Sequence, residues 1–301
     1  MKKLLGLFLL SAFLISCAQK EFVEKNVFYQ GLELYEKGDY EEAKDLLKKS
    51  IYKVKGLTAD ELMKARFYLA DSYYREEQYV DAIVEFEEVI TLFPTAPFMD
   101  EALYKLADSY LKISPGIDRD MTYPEKALEK AEELIDNYPK SRYVDRAKKI
   151  VYRVNKMKAD HILEIAQLYE KLGKYYSASR YYQLVYDQYE DYIDKLHVGF
   201  KLAYNLIRTK DQYNDEIEEY KDMIKNIDKK IKEEKNLEKK NVLINRKKVL
   251  EKHLNLLYER IKISNDRGKK ILQFIVKTQK NSEYEKKALK LLKKITEVKN
   301  H

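Results

Sequence analysis

One thiol dominates the chemistry available to this sequence. Cys17 is the single cysteine in 301 residues, so an intramolecular disulfide and a cysteine-rich zinc site are both excluded. It follows Leu14–Ile15–Ser16, at the end of a mostly apolar run, Leu4–Ile15, that begins after Met1–Lys2–Lys3. The run is too short to span a bilayer and fits the hydrophobic region of a signal peptide. Aliphatic and small residues directly before a cysteine resemble a bacterial lipobox, in which the thiol is diacylated and becomes the mature N-terminus. Residues 1–16 are therefore expected to be a lipoprotein signal peptide and 17–25 a lipidated linker. A covalent lipid on Cys17 is expected, with no other cofactor. An ordinary signal peptide with a chance cysteine is the competing reading.

Nothing else points to catalysis. His161, His197, His253 and His301 are scattered, and no glycine-rich phosphate loop, HExxH or GxSxG string occurs. A lytic transglycosylase with helical repeats would need a positioned carboxylate in a catalytic domain. No segment is left over to house one. The chain is expected not to be an enzyme and to bind no metal.

The elements that position side chains must be helices. Eight glycines and five prolines are too few for the turns of a sandwich or a doubly wound sheet. Charged residues make up 36% and hydrophobic ones 45%, which argues against global disorder. Tyr-x-x-Ala recurs at Tyr40/Ala43, Tyr79/Ala82 and Tyr175/Ala178, with a looser Tyr123/Ala127. Around these, Leu69, Ala70, Tyr73, Ala82, Phe86 and Pro94 fit a tetratricopeptide pattern. Leu106, Ala107 and Tyr110 open another unit, and Ile165, Ala166, Tyr169, Ala178 and Tyr182 a further one. Small residues let paired helices approach, and large ones fill the gap to the next pair. Gly38 and Gly173 supply turns between helices. Pro94–Ala102, Pro139–Ala147 and Ser282–Ala288 parallel one another, each read as a short loop, a polar N-cap and a new helix.

A different period follows. Ile217, Tyr220, Ile224, Ile227 and Ile231 step by three and four, as do Leu250, Leu254, Leu257 and Ile261 after Leu243, with Lys247 breaking the seam. The pattern predicts two helices reversing near Glu233–Lys240, with one continuous helix as the alternative. The fold expected is all-α: a tetratricopeptide-like helix-pair superhelix with an inserted coiled-coil hairpin. Repeats would occupy 26–208, the hairpin 209–266, and closing helices with a basic tail 267–301. Residues 229–252 hold ten basic and four acidic side chains. They suit a solvated surface, anionic lipid or an acidic partner. Nucleic acid is not expected as a partner.

Superimposing the repeats puts Phe28, Phe67 and Tyr104 at one inner position, and Tyr35 and Tyr74 at another. These five are read as candidate lining of a groove for an extended peptide, against the alternative that the rings pack between helices.

The combination of lipobox, repeats and one distinctive loop resembles the BamD family of outer-membrane-protein assembly lipoproteins. The carrying residues are Ser114–Pro115–Gly116–Ile117–Asp118–Arg119–Asp120, Tyr123–Pro124–Glu125–Lys126–Ala127 and Tyr138–Pro139–Lys140–Ser141–Arg142–Tyr143. The resemblance covers roughly 17–208 with 267–296. It implies a lipid-anchored protein on the periplasmic face of the outer membrane. Ala18 in place of an aspartate agrees with that sorting. It also implies a BamA-type barrel partner held through POTRA domains, and unfolded outer-membrane protein substrates received by the N-terminal repeats. Asp118, Arg119 and Asp120 are read either as loop-capping or as partner-contact residues. The hairpin departs from the family pattern, so individual contact residues are not carried over near it. The rival reading is another tetratricopeptide envelope lipoprotein, associated with Tol–Pal or scaffolding peptidoglycan enzymes.

Overall fold

The computed structural model describes residues 27–53, 56–114 and 120–297. Among them there is no strand, and the helices run in pairs. They are α1 (27–37), α2 (Tyr40–Lys53), α3 (Ala59–Arg75), α4 (Tyr79–Leu92), α5 (Met99–Ile113), α6 (Thr122–Asn137), α7 (Val144–Lys171), α8 (Tyr175–Gln188), α9 (Lys195–Glu233), α10 (Leu237–Thr278) and α11 (Glu283–Glu297). Two compact units divide between Val154 and Asn155. Cys17, Asp118 and Arg119 lie outside the described residues.

In the first unit, small residues sit at the helix crossings. Ala43, Ala70, Ala82, Ala107, Ala127 and Ala131 are all fully buried. Gly31 faces Leu47 so closely that an added Cβ would lie 3.1 Å from its Cγ. Phe86, Leu103, Leu106 and Leu134 fill the space between successive pairs. Thr58 caps α3 with a reciprocal capping box to Glu61.

The turns follow one plan. After α1, Gly38 adopts φ 89°, with the Gly38 and Asp39 amides donating to the Tyr35 and Leu34 carbonyls. After α7, Gly173 (φ 70°) does the same. After α3 the position is held by Glu77, at φ 58°. The longer junctions also repeat: Phe93, Tyr138 and Gln279 each end a helix, and each accepts from an amide three residues on. Tyr189 makes the same turn without a following proline, and no sequence signal marks it. At α5 the expected polar N-cap is absent; Phe98 stands there and offers no side-chain cap.

In the second unit, Ala166, Ala178, Tyr182, Leu202 and Leu206 form one cluster, and Ala203, Leu272, Ile275 and Ala288 another. The hairpin is an extension of the helix pair rather than a separate piece between helices. α9 runs unbroken past residue 209 and α10 runs unbroken past 266, with reversal at 234–236. Tyr213, Ile217, Leu257 and Ile261 are buried along the shared seam. Lys247 breaks the apolar seam by reaching across to Asp228 at 2.7 Å. Gly268 lets the two helices close: an added Cβ would lie 3.0 Å from the Ala203 carbonyl oxygen. No described helix is long and apolar enough to cross a membrane.

Candidate protein-binding face

The repeats bring α1, α3 and α5 side by side in the first unit, and a polar ladder ties them together. Its centre is Asp71 on α3, whose side chain is fully buried. The Tyr35 hydroxyl from α1 donates to Asp71 Oδ2, and Arg75 Nε donates to the same oxygen at 2.9 Å. Lys105 Nζ from α5 donates to Oδ1. Lys105 is itself buried and also pairs with Glu101 at 2.6 Å. From Glu101 the ladder continues to Arg142 at 3.2 Å, just before α7, and Arg142 donates to the Tyr143 hydroxyl at 2.7 Å. Alongside, the Tyr74 hydroxyl donates to Asp108 at 2.7 Å, again α3 to α5.

A buried charge is tolerated only when paired and hydrogen-bonded. Burial pushes the Asp71 carboxyl up, but Lys105, Tyr35 and Arg75 outweigh it and hold the group below its ordinary value. Glu101 is likewise raised by burial and lowered further by Lys105. Burial and the neighbouring carboxylates push Tyr35 and Tyr74 upward, so both hydroxyls keep their protons as donors. Tyr143 is pushed up to about 12 by burial and by Glu101.

The candidate rings divide into two sets. Phe28 and Phe67 are 1% and 5% exposed and pack in the core, so they do not line a groove. A ring without a hydroxyl has nothing to hold it at a wet face, and both turn inward. Tyr35, Tyr74 and Tyr104 are half-buried. The first two are held by their carboxylates, and Tyr104 stacks on Tyr143 with centroids 5.1 Å apart. Arg75 lies over Tyr35 at 5.6 Å, and Arg146 over Tyr104 at 5.6 Å. The result is a rigid row of tyrosines edged by arginines. Asp120 caps the start of α6, accepting from the Thr122 amide at 2.8 Å, and these bonds lower its pKa.

Asp71, Lys105, Asp108 and Glu101 were not among the candidates. A signal for them existed: Asp71 and Lys105 are 34 residues apart, as are Tyr74 and Asp108. That offset is three residues short of the 37 that separate like positions on α3 and α5, such as Phe67 and Tyr104, so each pair joins positions about one helical turn apart in the repeat. The second unit has its own version, where Glu170 accepts from Tyr182 (3.0 Å), Lys201 (2.8 Å) and Asn205 (2.9 Å). No group of residues that could hold a metal ion occurs among the described residues.

The chain is similar in sequence to known proteins. Residues 20–221 match the family model YfiO, described as an outer membrane lipoprotein. A protein of Aquifex aeolicus named for the outer membrane protein assembly factor BamD is 33% identical, over 97% of this chain and 95% of its own length. The BamD assembly factors of Caulobacter vibrioides and Neisseria meningitidis are 26% and 27% identical, over 40% and 68% of this chain and 39% and 84% of theirs. A solved Podosopora anserina protein with kinesin light chain TPR-like repeats matches at 14% identity and a TM-score of 0.30, covering 75% of this chain and 94% of that one. At that score the repeat architecture rests on the helix pairs described above.

Proposed function

Because the chain belongs to the YfiO outer membrane lipoprotein family, we propose that it serves outer-membrane protein assembly as a non-catalytic scaffold. The observation that carries this reading is the match to a BamD relative along nearly the whole of both chains. Lipid on Cys17 holds the protein to the periplasmic face of the outer membrane. The Tyr35–Tyr74–Tyr104 row receives extended segments of unfolded barrel proteins, and the later repeats hold a BamA-type barrel protein through its POTRA domains.

The mechanism is binding alone. Half-exposed tyrosines offer apolar area, and the hydroxyls of Tyr35 and Tyr74 are already fixed by Asp71 and Asp108. Little side-chain entropy remains to be lost when a segment docks, which lowers the cost of binding. Anchoring both partners to one lipid-tethered chain raises their local concentration.

A pull-down of the C-terminally tagged chain from gently solubilised membranes tests the reading. Recovery of a POTRA-containing barrel protein as the main stoichiometric partner supports it. Recovery of peptidoglycan enzymes or Tol–Pal components without a barrel protein sinks it. A matched variant with 212–262 replaced by a short turn reports whether the hairpin takes part.

A further inference from the structure

The helix α10 carries two apolar heptads, and only one has a partner. The inner seam, from Leu250 through Leu254, Leu257 and Ile261, faces α9. One residue before Leu243, Leu250, Leu257 and Ser264, rotated by about 100°, run Val242, Val249, Leu256 and Ile263. They are 64%, 54%, 51% and 61% exposed. Single exposed aliphatics need no explanation. Four in strict steps of seven form a seam that lacks its opposing helix.

A second row keeps the same step. Arg246, His253, Arg260 and Arg267 each lie four residues beyond a member of the stripe, and all are exposed. The described arginines that pair with carboxylates are Arg66, Arg75, Arg142 and Arg208. Arg260 instead reaches the Tyr213 hydroxyl at 3.0 Å and lies over Tyr176, and Arg267 donates to Gln183 at 2.7 Å. The opposite flank is mixed, with Asn245, Lys252, Glu259 and Asp266.

The stripe runs into a cleft of about 890 Å³ in the second unit. Leu256 and Ile263 on its α10 wall alternate with Glu259, Arg260 and Arg267, its α8 wall holds Tyr181, Leu184 and Asp187, and Leu202 and Leu206 also line it. Arg180 lines the same cleft, on α8, so the arginines outnumber the acids.

We propose that the stripe Val242–Val249–Leu256–Ile263, with the cleft it enters, binds an amphipathic helix of a partner protein with an apolar seam and an acidic flank. The aliphatic steps match a helical partner and not an extended one. The arginine row selects the charge of its flank. A second copy of this chain fits badly. In an antiparallel pair the arginine rows would face each other. In a parallel pair the row would meet the mixed flank Asn245, Lys252, Glu259 and Asp266, which offers an acid to only half of it.

The full chain in mild detergent is titrated with a labelled synthetic helix bearing a leucine seam and a glutamate flank. A second helix has the same seam and a lysine flank. The acidic helix is expected to bind at least about tenfold tighter, and more weakly as salt rises. The pair Val249→Asp and Ile263→Asp, both at exposed positions, should abolish binding and leave the melting temperature unchanged. Arg246→Glu with Arg267→Glu should reverse the preference between the two helices. Equal affinity for both, or binding indifferent to Val249→Asp, overturns the proposal. So does self-association in sedimentation equilibrium that Val249→Asp abolishes, which would give the face to a second copy. Binding to phosphatidylglycerol vesicles with neither helix bound would give it to lipid. None of these residues belongs to α1, α3 or α5, and the titration reads binding at α10 alone. This site and the assembly role can therefore fail separately.

Discussion

Asp71 is a charge with no exposed surface, and its environment keeps it ionised. Replacing it by asparagine leaves Lys105 with Glu101 alone and takes the carboxylate from Arg75 and Tyr35. Breaking a buried pair costs about 3 kcal/mol, so Asp71→Asn should fall by roughly that amount in urea unfolding. The pH dependence follows from the direction of the shift. A carboxyl lowered in the folded state contributes stability above its unfolded value, near about 4. That contribution disappears as pH falls through the lower, folded value. The native chain should therefore lose stability below about pH 4, and Asp71→Asn should lose less over the same range. A variant that tracks the native profile would remove Asp71 from the acid response. Tyr74→Phe tests the neighbouring rung. It removes only the hydroxyl and should cost about 1–2 kcal/mol, with the ring still in place for binding. These rings were half legible in the sequence. Repeat superposition located Tyr35, Tyr74 and Tyr104, but it gives a position in the unit and not the rotation of the helix. Phe28 and Phe67 share the position of Tyr104 and turn inward. Asp71 and Lys105 stayed hidden because charges on helices in a lysine- and glutamate-rich chain look like solvated surface until the repeat spacing, less one helical turn, is applied.

At the scale of elements, the turns after α1, α3 and α7 are the same device built from different residues. Gly38 and Gly173 take the left-handed conformation at no steric cost, whereas Glu77 takes it with a side chain attached. Glu77→Gly should therefore stabilise the first unit by about 0.5–1 kcal/mol, after the extra freedom of glycine in the unfolded chain is subtracted. The check is a higher urea midpoint at unchanged slope; a lower midpoint would mean that the Glu77 side chain makes a contact worth more than the strain. Helix pairs and both long helices of the hairpin were readable from spacing, since alanines at crossings and three-four steps reflect packing directly. What spacing did not convey was continuity. The periodicity changes near residue 209, yet α9 does not break there, because a helix can pass from one partner to another without altering its backbone. The change of pattern marks a change of neighbour rather than a domain boundary.

For the whole molecule the proposed anchoring turns on the thiol of Cys17. Two kinds of attraction to a membrane are to be weighed. A pair of acyl chains contributes about 0.8 kcal/mol for each buried methylene, enough for stable anchoring, while a single chain is marginal. The basic stretch at 229–252 offers about 1 kcal/mol for each side chain that reaches an anionic surface. Of its ten basic residues, only Lys247 has an ion-pair partner among the described residues. The two contributions respond differently to salt, since charge attraction is screened and acyl burial is not. Cys17→Ser should therefore shift the protein from the membrane fraction to the soluble periplasmic fraction. Any residue left on the membrane should wash off at high salt. Salt-sensitive retention would assign the remaining contact to the hairpin tip, and pairing Cys17→Ser with removal of 212–262 should then free the protein completely. Retention that survives both the substitution and the salt wash would mean that a protein partner, not lipid on Cys17, holds the chain at the membrane.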